Sequence, residues 1–153
     1  MIEDDGDIVR GLGFVTMLSA HLEGRIDELL FKLSAIEEFT EKEQRWSISR
    51  KIKKAKKILG NIEHQITSEI CEDLELCRDR FECRNELVHG RIYSPQYHKE
   101  NLKSSRPNVP DRKACSEELY ALANDLVALD SKVYRPMIIQ LPRLLVELLN
   151  KNV

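Results

Sequence analysis

Apolar residues return at steps of four and three through the first part of the chain: Ile8, Leu12, Val15, Leu22, Ile26, Leu29, Leu33 and Ile36. Ser19 stands where one more apolar residue would fall. That spacing keeps one stripe of an α-helix turned to a partner along its whole length, and it predicts a helix over residues 8–36. The stripe stops after about four heptads, so it reads as a core helix of a bundle rather than a free-standing coiled coil. Gly11, Gly13 and Gly24 each weaken the helix by about 1 kcal/mol relative to alanine. They are places where another helix can approach closely.

Thr40 followed by Glu43 has the spacing of a capping box, so a helix can start there, and Ser47 or Ser49 offers a later start. The helix through Arg50–Leu59 is expected to end at Gly60, the residue type favoured just past a helix C-terminus. From Ile62 to His89 a second long stripe runs through Ile66, Ile70, Leu74, Cys77, Phe81, Arg84 and Val88. Glu69, Glu72, Asp73, Glu75, Arg78, Asp79, Arg80 and Glu82 are assigned to its outer side. Arginine is unusual in such a stripe and has to find a partner or serve a ligand. Residues 90–111 carry Pro95, Pro107 and Pro110 with scattered Ser and Asn and no sustained period, which predicts a long loop. A further helix starts at about Asp111 or Ser116 and runs to Tyr134, with Leu119, Leu122, Ala123, Leu126, Leu129 and Val133 on one face. Pro136 is expected to kink or break it. The last segment carries Ile138, Ile139, Leu141, Leu144, Leu145, Leu148 and Leu149, with Pro142 in its first turn. No strand-like alternation is found. The expected fold is all-α: an up-and-down bundle of four to five helices forming one domain over residues 1–153, with a long loop (about 90–111) before the C-terminal helices.

Composition narrows the function classes. With 42% apolar and 33% charged residues the chain is neither disordered nor membrane-embedded, and no apolar run approaches the roughly 20 residues that span a bilayer. An acidic start (Glu3, Asp4, Asp5, Asp7) is the opposite of a secretory signal, so a cytoplasmic location is expected. The net charge of −2 gives no overall nucleic-acid signature, and a polyanion would have to meet a local patch. The candidates for such a patch are Lys51, Lys53, Lys54 and Lys57 on the basic helix and Arg91 beyond it; a solvated cationic face explains the same lysines equally well. The loop adds further cations and Tyr93 and Tyr97, a composition suited to base stacking or simply to a surface loop. Cys71, Cys77, Cys83 and His89 recur every six residues. Six residues turn a helix by about 600°, so the four side chains point in three directions and cannot close on one metal ion. Buried thiols in a reducing compartment are expected, with no metal and no cofactor.

The remaining chemistry lies in Arg84-Asn85-Glu86-Leu87-Val88-His89-Gly90. Histidine exchanges a proton near neutrality, and arginine presents a fixed fork of donors to phosphoryl oxygens. Cleavage of RNA by attack of its own 2′-hydroxyl needs those two services and no metal, since the substrate supplies the nucleophile. Five helical positions are about 500°, which leaves Arg84 and His89 some 140° apart on one straight helix. They converge more easily if the helix ends at His89, where Gly90 favours a left-handed C′ residue, or if a second copy faces the first. Arg91 and His98 offer a similar pairing but run into the Pro95 loop.

An arginine, a polar residue directly after it and a histidine at this spacing, at the end of a long helix of an all-α chain, resemble the HEPN superfamily. The resemblance extends to the preceding basic helix ending at Gly60. It implies a metal-independent endoribonuclease acting as a homodimer, with the two motifs facing one another in a composite site. It also implies a toxin or phage-defence role, with an antitoxin or neighbouring defence protein as partner. On that basis His89 is the acid/base, Arg84 the ligand of phosphate and transition state, and Asn85 a supporting polar group. The alternative is an inactive HEPN-like scaffold that binds nucleotide, RNA or a protein partner, in which Arg84 and His89 are structural.

Overall fold

The four-three stripe of the first helix buries Val15, Ser19, Leu22, Ile26, Leu29 and Leu33, and these positions define α1 (Ile8–Leu33). In the computed structural model, residues 1–89, 91–93, 101–103, 110, 112–113 and 115–151 are described. Helix α1 stops three residues short of Ile36, which lies beyond the helix and is half exposed. The stripe therefore ends at Leu33. Short α2 (Glu41–Gln44) follows the expected capping box: the Thr40 hydroxyl accepts from the Glu43 amide, and the Glu43 carboxylate accepts from the Thr40 amide. Helix α3 (Ile48–Leu59) starts after Ser47 and buries Ile52, Ala55, Ile58 and Leu59. Gly60 ends it in a right-handed conformation (φ −64°), where an added Cβ would stand 3.1 Å from the Lys56 carbonyl oxygen. The glycine relieves crowding there instead of supplying a left-handed turn.

Helix α4 (Gln65–Val88) buries Ile70, Leu74, Cys77 and Phe81, and α5 (Ser116–Tyr134) buries all six of the positions assigned to its inner face. Pro136 does not end the helical winding. It is taken up in a π-helical segment, Arg135–Gln140, in which the Leu141 amide donates to the Pro136 carbonyl. Proline lacks an N–H and clashes with the carbonyl four residues back, and the wider winding accommodates both defects. Helix α6 (Leu141–Lys151) then carries Pro142 in its first turn and buries Leu141, Leu144 and Leu145. The fold is all-α, with five helices of eleven residues or more among the described residues. No helix among them is long and apolar enough to cross a membrane.

Among the described residues, β1 (Arg91–Tyr93) and β2 (Asn101–Lys103) form within the stretch expected to be loop, and β3 (Arg112–Lys113) follows just after it, so the next helix takes the later of its two expected starts, Ser116. They pair antiparallel in the order β1-β2-β3, with Ile92 opposite Leu102 and Leu102 opposite Arg112. Strands of two and three residues are too short to show an alternating pattern, which is why the sequence does not announce them.

The chain groups into two compact units. Met1–Ala20 and Asp79–Val127 form the first; His21–Arg78 and Ala128–Val153 form the second. In the first unit the N-terminal residues are tied to α5. The Ile2 amide donates to Asn124 Oδ1 (2.7 Å), Asn124 Nδ2 donates to the Ile2 carbonyl (2.9 Å), and the Tyr120 hydroxyl donates to Asp5 (2.6 Å). Burial and the Asp5 carboxylate raise the Tyr120 phenol to about 12. Gly11 makes this packing possible, since an added Cβ would lie 3.0 Å from both the Leu119 Cβ and the Tyr120 ring. In the second unit α1 and α3 are joined by an ion pair between Lys51 and Asp27 (2.6 Å), and α4 and α5 by one between Asp73 and Lys132 (2.5 Å). Asp73, expected on the outside of α4, is only 4% exposed. It lies three residues after Ile70 and four before Cys77, inside the buried stripe, and survives there because Lys132 meets it.

Gly13 and Gly24 have nothing within 4 Å of an added Cβ, unlike Gly11. Replacing either with alanine should therefore stabilise the protein by about 1 kcal/mol, whereas Gly11→Ala should destabilise it. Urea denaturation of the three variants measures this, and a stabilised Gly11→Ala would contradict the close approach.

Candidate functional site

The Arg84–His89 motif occupies the last turns of α4, within the first compact unit. The His89 amide donates to the Asn85 carbonyl (3.1 Å), so the helical hydrogen-bond pattern persists up to the histidine. Helical winding then sets the Arg84 and His89 side chains on diverging faces, about 140° apart. His89 is exposed; Arg84 and Asn85 are half-buried. The Arg84 guanidinium lies over the Phe81 ring, 5.7 Å from its centroid, so the last core aromatic of α4 supports the arginine from below. Val88, between them, is half-buried, and Leu87 closes the apolar stripe. Gly90 and His98 lie outside the described residues, as does the side chain of Arg91, whose backbone begins β1 opposite Lys103.

Beside the motif, α4 and α5 border a cleft of about 310 Å³ lined by Arg80, Cys83, Glu86, Leu87, Glu118 and Asp125, among others. Arg80 and Asp125 form an ion pair at 3.4 Å. Three carboxylates against one guanidinium make this cleft acidic, and none of Arg84, Asn85 and His89 lines it.

The lysines assigned to a phosphate-binding face lie in the second unit and divide into two groups. Lys51 and Lys54 are 8% and 7% exposed. Lys51 pairs with Asp27, while Lys54 donates to Glu43 (2.7 Å) and to the Glu38 carbonyl (2.6 Å) and lies 3.5 Å from Glu37. These two cannot present free charge at the surface, which corrects the expectation drawn from the lysine run. The apolar stripe of α3 is narrow, so its burial takes the flanking lysines inward with it, and each is neutralised by a carboxylate. Lys53 and Lys57 are exposed. Lys57 pairs with Glu37 at 3.2 Å, and among the described residues Lys53 joins no ion pair.

The carboxylates in this network titrate low. The hydrogen bond from Lys54, followed by the one from the Thr40 amide, holds Glu43 below the usual carboxylate range. Glu37 is lowered by Lys57 and then by Lys54. The thiols are all free, but only Cys77 is buried; Cys71 and Cys115 are half-buried and Cys83 is exposed. Burial, reinforced by Asp73, raises the Cys77 thiol to about 12. Among the described residues no three His, Cys, Asp or Glu side chains gather as a metal site.

Two features were not anticipated from the sequence. One is the pairing of buried Asp73 with the exposed Lys132. The other is a cluster around Trp46, over whose ring the Arg50 guanidinium lies at 4.2 Å. Its sequence signal is the four-residue spacing of Trp46 and Arg50 across the start of α3. No family model, curated protein or solved structure matches this chain.

Glu43 binds its proton more weakly in the folded than in the unfolded state. Its contribution to stability is therefore present above the unfolded carboxylate range and is lost as pH falls through the lowered folded value. Glu43→Gln should flatten the fall of stability with acidification below about pH 4.5. Denaturation midpoints from pH 7 to pH 3 test this; identical acid slopes for the variant and the parent would refute the Lys54–Glu43 linkage.

Proposed function

We propose that the chain is a metal-independent endoribonuclease that acts as a homodimer, as its resemblance to the HEPN superfamily implies. In the reaction one His89 takes the proton of a 2′-hydroxyl as its oxygen attacks the adjacent phosphorus. A protonated histidine gives a proton to the departing 5′-oxygen, leaving a 2′,3′-cyclic phosphate and a 5′-hydroxyl. Arg84 donates to the non-bridging phosphoryl oxygens, where negative charge accumulates in the transition state. Asn85 adds a hydrogen bond at the same end of the helix.

The observation that carries this reading is the placement of the motif. An exposed histidine completes the last turn of α4, while a half-buried arginine is propped on Phe81 one and a half turns earlier. Their divergence on one helix suits a site completed by a second copy, and a toxin or phage-defence role with an antitoxin or neighbouring defence protein fits such an enzyme. A second reading, a non-catalytic scaffold of the same type, is favoured by one feature: the acidic cleft bordering the motif repels a polyanion.

His89→Ala and Arg84→Ala should each lower cleavage of total RNA in EDTA by at least about a hundredfold while the protein keeps its helical content and its dimer mass. Cleavage rates, circular dichroism and sedimentation read this out. Undiminished cleavage by either variant, or no cleavage by the parent chain, rejects the catalytic reading and leaves the scaffold.

A further inference from the structure

Helix α3 turns one line of side chains to solvent at steps of three and four: Arg50, Lys53 and Lys57, all exposed. Seven helical steps carry this line over about 10 Å. With Trp46, Glu37, Glu43 and Lys54 these residues line a cleft of about 380 Å³ within the second compact unit. Lys54 and Lys57 hold both carboxylates through short contacts, so the cleft's acidic groups are already neutralised. Four cations against two carboxylates leave it positive in a chain whose net charge is −2.

The Arg50 guanidinium lies over the Trp46 indole at 4.2 Å, which places its charge at the wall of the cleft, stacked on an aromatic ring. Stacked guanidinium planes and aromatic rings are the surfaces on which unpaired bases rest, while neighbouring lysines meet phosphates. A duplex hides the faces of its bases inside the stack, and an acidic peptide has none to offer. We propose that this cleft is a binding site for single-stranded RNA, in which a base continues the Trp46–Arg50 stack and Lys53 and Lys57 meet the flanking phosphates. The proposal rests on the proposed function only for the identity of the polyanion, and it assigns Trp46 and Arg50 a role beside the lysines. Lys57 can turn to a phosphate because its bond to Glu37 is solvent-exposed, where ion pairs are weak, and Lys54, 3.5 Å from Glu37, stays to offset that carboxylate.

Trp46 is the only tryptophan in the chain, so its fluorescence reports on this cleft alone. The experiment uses the whole His89→Ala chain, which leaves RNA uncut, titrated with a single-stranded oligoadenylate, a duplex of the same length and an oligoglutamate peptide. Saturable quenching by the single strand is expected, with the duplex and the peptide at least about tenfold weaker. Arg50→Glu and Lys53→Glu should each weaken the single strand about tenfold or more. Each should also make the dependence of log affinity on log salt shallower, by about 0.7 for every phosphate that the variant no longer neutralises. Arg143→Glu, an exposed charge change of the same size on α6, serves as the control and should leave the affinity nearly unchanged. Equal binding of the peptide or the duplex, no change in Trp46 emission, or equal losses in all three variants would overturn the proposal. Because binding is read in the uncleaving protein, it is separable from catalysis. A parent chain that cuts no RNA but binds in this pattern loses the proposed function and keeps the site.

Discussion

A charge taken out of water must meet its opposite, and in the second unit that requirement decides how α3 packs. Its apolar stripe is too narrow to be buried without the lysines on either side. Lys51 goes inward to Asp27 of α1, and Lys54 goes inward to Glu43 and to the carbonyl of Glu38. Glu43 is also the residue that closes the capping box on Thr40. One carboxylate thus starts a helix and neutralises a buried cation on the next, so removing it would expose two faults at once. Asp73 and Lys132 answer the same requirement between α4 and α5, and Arg25 and Asp130 between α1 and α5 (3.0 Å).

Much of the fold can be read from spacing because helical burial is periodic. The inner face of α5 was legible residue by residue, as were the stripe of α1 from Val15 to Leu33 and the capping box at Thr40. The exceptions share a cause: they depend on partners that the chain brings from far away in sequence. Asp73 looks like a surface acid until Lys132 arrives from α5. Lys51 and Lys54 look like a cationic face until Asp27 and Glu43 are in place. Gly11 and Gly13 are equivalent in the sequence, yet only Gly11 has Leu119 and Tyr120 beside it. The short strands escape for another reason, since two or three residues carry no period.

The candidate site was legible as a motif and not as a geometry. Arg84, Asn85 and His89 could be singled out from residue types and spacing, and the end of α4 falls where they suggested. The acidity of the neighbouring cleft could not be foreseen, because Glu118 and Asp125 come from α5. The cationic character of α3 survives on part of the expected set, Lys53 and Lys57, joined by Arg50. Two of the lysines are withdrawn into the interior, and the outward charge passes to Arg50, Lys53 and Lys57, with Trp46 at its edge.

The π-helical segment at Pro136 has a consequence for phase. Each i→i+5 bond takes in one residue more than the α pattern, equivalent to about 100° of helical rotation. Val133, Met137 and Leu141 follow one another at steps of four and all are buried; in unbroken α-helix two such steps would drift by about 80°. The wider winding, with more residues per turn, lessens that drift, and Leu144 and Leu145 are buried beyond it in α6. Proline, usually a stop signal, is here taken up in a wider winding, and buried residues go on recurring at steps of four and three beyond it.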